Sequence, residues 1–145
     1  MNELKPILLI EDDSVDAMTV KRAIRDLHLT NQIIHLTNGE EAVKYLAHIS
    51  EKPFVILLDL NMPRMTGLEF LKTIKANEIL KTIPIIVLTT SKERQDVMES
   101  FDLGAVGYMT KPVDYTKFTE VINTIIIYWN LSEAPKSVIT ANDKI

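Results

Sequence analysis

The chain has 145 residues, 46% of them apolar and 25% charged, with a net charge of −4. A single domain of that length buries roughly 68–70% of the surface its unfolded chain exposes, so a core forms without staples. The acidic balance argues against nucleic acid as a partner, and the lack of cysteine excludes disulfides, thiolate metal sites and cysteine nucleophiles.

The first element is the continuous apolar run Ile7–Ile10, followed at once by Glu11, Asp12 and Asp13. Residues 15–27 have helical spacing, with Ala17, Val20, Ile24 and Leu27 on one face. Residues 32–36 form a short β-branched segment. The Asn38-Gly39 turn opens a second helix carrying Ala42, Leu46 and Ile49, and Asn38 with Glu41 resembles a capping box. Residues 54–58 are the most apolar run of the first half and end at Asp59.

The alternation then repeats. Thr66 and Glu69 make a capping box ahead of Leu68, Leu71 and Ile74. Residues 83–88 are a β-branched run ending at Thr89. Thr90 or Ser91 is expected to cap the helix with Val97, Met98 and Phe101. Residues 106–109 form a short strand that leads to Lys111-Pro112, and Asp114 is expected to cap a last helix reaching Asn130. That makes residues 1–130 one domain, and residues 131–145 read as a frayed tail.

Strands alternating with helices predict an α/β domain with a parallel sheet. Strands apolar along their whole length predict helices on both faces. The expected architecture is the flavodoxin-like doubly wound fold with five parallel strands in the order 2-1-3-4-5.

Polar residues fall at the carboxyl ends of four of the five apolar runs: Asp12 and Asp13, Asp59, Thr89, and Lys111. In an open parallel sheet these ends share one edge, where ligands bind. Three carboxylates there repel. At ~4 Å and an effective dielectric near 20, each pair costs about 4 kcal/mol. Lys111 offsets part of this, and a hard divalent cation such as Mg²⁺ suits the remaining oxygen donors. A carboxylate can accept a phosphoryl group covalently, with a hydroxyl and an ammonium binding its oxygens. Taken alone, residues 11–13 would equally suit a solvated helix N-terminus, and Thr89, Tyr108 and Lys111-Pro112 would suit ordinary strand, packing and loop roles. Glu11 is read as a structural acid.

Four segments, Leu8 to Asp13, Leu57 to Pro63, Val87 to Ser91 and Gly107 to Pro112, each resemble a motif of the receiver domains of two-component response regulators. The resemblance covers residues 5–130. It implies that Asp59 is the phosphoacceptor. Asp13 and Asp59 would bind Mg²⁺ through side chains, Asp12 mainly through water, and Asn61 through its backbone carbonyl. Thr89 and Lys111 would bind the phosphoryl group, Thr89 and Tyr108 would act as the switch, and Lys111-Pro112 would be a cis peptide. Thr66-Gly67 stands where the family usually has Asp-Gly. Asn61 and Ser91 occupy positions that tune phosphoryl lifetime in the family.

The last helix spreads Phe118, Val121, Ile122, Ile125, Ile126, Ile127, Tyr128 and Trp129 over more than one face, which suits a homodimer or partner surface built with the fourth helix. Its Tyr128-Trp129 ending, with residues 88–91, resembles small receivers that partner phytochrome-type histidine kinases. The expected output is therefore a protein contact, or relay to a histidine phosphotransfer protein. No signal peptide and no stretch of ~18 apolar residues is visible, so a cytoplasmic protein with no membrane attachment is expected. Two other readings compete. A phosphohydrolase of the haloacid dehalogenase type would need an Asp-x-Asp-x-Thr run, and residues 59–63 lack its second Asp and its Thr. An unphosphorylated receiver-fold scaffold would not need the intact acids, Thr89 and Lys111.

Overall fold

The computed structural model describes residues 5–111 and 115–131. In chain order the elements are β1 (Ile7–Ile10), α1 (Ser14–Asp26), β2 (Ile33–Leu36), α2 (Gly39–Leu46), β3 (Val55–Leu58) and α3 (Gly67–Lys75). A 3-10 turn (Leu80–Thr82), β4 (Ile85–Thr89), α4 (Arg94–Asp102), β5 (Gly107–Thr110) and α5 (Tyr115–Leu131) complete it. The strands pair in parallel in the order β2-β1-β3-β4-β5, the doubly wound sheet that the alternation predicts.

The pleat sorts the core into two layers, because successive strand residues point to opposite faces. Leu8, Ile10, Ile56, Leu58, Ile85 and Val87 pack with Ala42 and Leu46 of α2 and with Phe70, Leu71 and Ile74 of α3. Ile7, Leu9, Val55, Leu57, Ile86 and Leu88 pack with Ala17, Val20, Ala23 and Ile24 of α1 and with Ile122 of α5. The three central strands are buried at every position, while the edge strands β2 and β5 are half-buried throughout.

Local details differ from the expectations in instructive ways. The capping box of α3 is complete, with Thr66 and Glu69 exchanging both bonds. In α2 only half of it forms: Asn38 accepts from the Glu41 N–H at 2.8 Å, but the Glu41 carboxylate reaches past Asn38 to the Thr37 N–H. α4 starts two residues later than a Ser91 cap requires. Glu93 precedes it with no side-chain cap, so neither Thr90 nor Ser91 takes the N-cap position; the Ser91 hydroxyl is bonded to Asp96 inside the helix instead. Residue 83 is loop rather than strand, since the 3-10 turn closes on it and Pro84 follows. Asp114, the Lys111-Pro112 peptide and residues 132–145 of the expected tail lie outside the described residues, as do the side chains of Phe118, Val121, Ile126 and Trp129; Leu131, read as the first tail residue, ends α5. Among the described residues, no helix is long and apolar enough to cross a membrane.

Candidate functional site

Register builds the site. Ile10 lies opposite both Leu36 and Leu58, and Leu58 lies opposite Val87. The chain therefore leaves β1 and β3 at the same level, with the Asp59 N–H donating to the Ile10 carbonyl at 3.0 Å. This brings one carboxylate oxygen each of Glu11, Asp12 and Asp59 within 4.8 Å of one another. Glu11 and Asp59 are buried, while Asp12 faces solvent.

The acids divide differently from the expectation. Asp13 is the N-cap of α1: its carboxylate accepts from the Val15 and Asp16 N–H groups, both at 2.9 Å. Asp is among the favoured N-cap residues because its oxygen satisfies amides that the first helical turn leaves orphaned. The carboxylate beside Asp12 and Asp59 is thus that of Glu11, which was read as structural. The acid just before a helix start is a favoured cap, but that rule assigns Asp13 only once the start at Ser14 is known. His35 on β2 adds a contact that the sequence did not suggest: its Nε2 lies 2.7 Å from the Glu11 carbonyl oxygen and holds the turn.

Lys111 follows β5, its N–H donating to the Thr89 carbonyl. Its buried ammonium donates to Glu11 Oε1 at 2.5 Å and to Asp16 Oδ2 at 2.9 Å, and stands 4.0 Å from Asp59 Oδ1. Burial opposes the Lys111 charge, but the bonds to Glu11 and Asp16 outweigh it and raise its pKa. Burial pushes Glu11 up to about 7, with Lys111 opposing and the Asp59 charge adding. Burial also raises Asp59, against the pull of Lys111, Glu11, Thr89 and the Asn61 N–H. An all-carboxylate set that is costly to ionise without a cation has the chemistry of a hard divalent site.

Thr89 is fully buried beside Asp59, and its Oγ1 accepts weakly from the Ser91 N–H at 3.4 Å. Tyr108 is half-buried and donates its hydroxyl proton to the Ser91 carbonyl at 2.9 Å, so it is tied to the same loop. Asn61 is exposed two residues after Asp59. Gly67 packs the start of α3 against the acceptor segment: a Cβ there would lie 2.4 Å from the Asp59 carbonyl oxygen.

Comparison with known proteins agrees with this geometry. Residues 7–123 match the response regulator receiver domain family. The chain is 35% identical over 133 residues to the response regulator Rcp1 of Synechocystis, covering 88% of this chain and 90% of that protein. Among solved structures, the phosphorylated cyanobacterial phytochrome response regulator RcpA superposes with a TM-score of 0.82 at 32% identity, covering 92% of this chain and 99% of that one. The Mn²⁺-bound form of Rcp1 superposes with a TM-score of 0.80 at 34% identity, covering 91% and 99%.

Proposed function

Since the chain belongs to the response regulator receiver domain family, we propose that it is a phosphorylation switch that takes a phosphoryl group from a histidine kinase onto Asp59. The observation that carries this is the gathering of Glu11, Asp12, Asp59, Thr89 and Lys111 at one edge of the sheet. An Asp59 carboxylate oxygen forms the new bond to phosphorus as the P–N bond of the donor phosphohistidine breaks. The electron pair of that bond stays on the ring nitrogen and, because the other ring nitrogen carries a proton, the histidine leaves as neutral imidazole. The Thr89 hydroxyl and the Lys111 ammonium bind the oxygens of the transferred group.

Asp12 and Asp59 would hold Mg²⁺, with the Asn61 carbonyl as a further ligand and Glu11 close by. Asp13 is instead committed to its cap. Bound there, the ion neutralises phosphoryl charge. The likeness to RcpA, a phytochrome response regulator, supports a phytochrome-type kinase as the donor, and the proposed place of action is the cytoplasm. The new charge beside Thr89 biases the loop that Tyr108 bonds, which links the site to α4 and β5. Met98 and Phe101 of α4, Val106 ahead of β5, and Ile127 and Tyr128 of α5 leave apolar side chains exposed for a homodimer or a downstream protein such as a histidine phosphotransfer protein.

The test is intact mass after incubation with acetyl phosphate and Mg²⁺. One phosphoryl group is expected on the wild type, none without the metal and none on Asp59→Asn. An adduct that persists on Asp59→Asn moves the acceptor elsewhere, and a protein that no phosphodonor or kinase modifies is a scaffold.

A further inference from the structure

The Lys111 ammonium has three N–H groups. Glu11 and Asp16 engage two of them, and Asp59 stands beyond hydrogen-bond reach at 4.0 Å. Asp16 lies in the first turn of α1, and its own N–H is bound by the Asp13 cap, so the turn that carries the acids also sets its position. Nothing in the phosphoryl chemistry above uses Asp16.

Resting on the receiver reading, we propose that Asp16 is a positioning residue: it restrains Lys111 away from Asp59 in the unphosphorylated protein and is the partner Lys111 gives up when a phosphoryl group arrives. The asymmetry of burial singles out Asp16. Its side chain is 38% exposed against 2% for Glu11. A released Asp16 carboxylate regains water, whereas a released Glu11 would stay buried beside Asp59 without its cation. A phosphoryl group on Asp59 brings more negative charge and more acceptor oxygens to the ammonium than the Asp59 carboxylate alone, so the exchange runs toward the phosphoryl. Asp16 therefore competes directly with phosphoryl binding, and its strength as a competitor sets how readily the phosphorylated state forms.

The test uses fluoroberyllate, a non-covalent phosphoryl mimic, titrated calorimetrically with saturating Mg²⁺ into the full chain. Asp16→Asn is expected to tighten binding by about two- to fivefold, the scale of a half-exposed ion pair. Asp16→Glu, which keeps the charge, is expected to return the affinity most of the way to wild type. In a Lys111→Ala background the Asp16→Asn change is expected to have no effect. Should that double variant not fold, the Glu comparison carries the test. Unchanged or weaker binding by Asp16→Asn overturns the proposal, because Asp16 would then be idle or would orient Lys111 toward the site. Equal tightening by Asn and Glu also overturns it, as an effect of helix α1 rather than of the charge. Absence of binding by the wild type strikes the receiver reading itself, and the restraint falls with it.

Discussion

Glu11 carries the clearest consequence at the scale of a single residue. Its carboxyl is pushed up to about 7 by burial, against 4.5 in an unfolded chain. Below pH 4.5 both states bind the proton, and this group contributes no pH dependence. Between 4.5 and 7 the unfolded state releases the proton while the folded state retains it, so stability falls as pH rises. The loss is roughly 1–3 kcal/mol across that window. Urea unfolding in EDTA at pH 5, 6 and 7.5 is expected to show a falling midpoint, and Glu11→Gln is expected to flatten it. A midpoint that rises over that range rules out the raised Glu11 pKa. Glu11 was the acid the sequence made hardest to place. Three consecutive acids look alike until the helix start is known, and the helix start is what turns Asp13 into a cap.

At the scale of elements, the joint between β3 and α3 is the most constrained. Thr66 caps α3 through a complete capping box, and Gly67 lets that helix end meet the acceptor segment. Losing the cap with Thr66→Ala is expected to cost about 1 kcal/mol in chemical denaturation, with phosphorylation retained. Gly67→Ala is expected to do more damage. Its Cβ would sit 2.4 Å from the Asp59 carbonyl and 2.6 Å from the Leu60 Cα, and both are backbone atoms that cannot swing aside. We expect roughly 2–4 kcal/mol of lost stability and slower phosphorylation, because relief of the clash must shift Asp59. Denaturation together with phosphorylation rates measures both effects. The capping box was legible because its signal is local. The close approach at Gly67 was not, since it depends on two segments meeting.

At the scale of the whole molecule, stability rests on two apolar layers that share one sheet. Phe70 of α3 is fully buried in one of them. Phe70→Ala is expected to cost about 3–5 kcal/mol, and denaturant unfolding followed at two wavelengths should still give one coincident transition. Two separate transitions would mean that the layers unfold independently.

By itself, the sequence determined the alternation of strands and helices, the burial of the central strands and the identity of Asp59, Thr89 and Lys111 as strand-end groups. Those follow from short-range periodicity and from the rule that parallel strands end on one edge. Only the tertiary structure decided that Glu11 rather than Asp13 stands beside Asp12 and Asp59, and that Lys111 spends its hydrogen bonds on Glu11 and Asp16. Both depend on the register of β1 against β3 and on the orientation of α1 over the sheet. A contact between residues 95 positions apart, such as that of Lys111 with Asp16, has no local pattern to announce it.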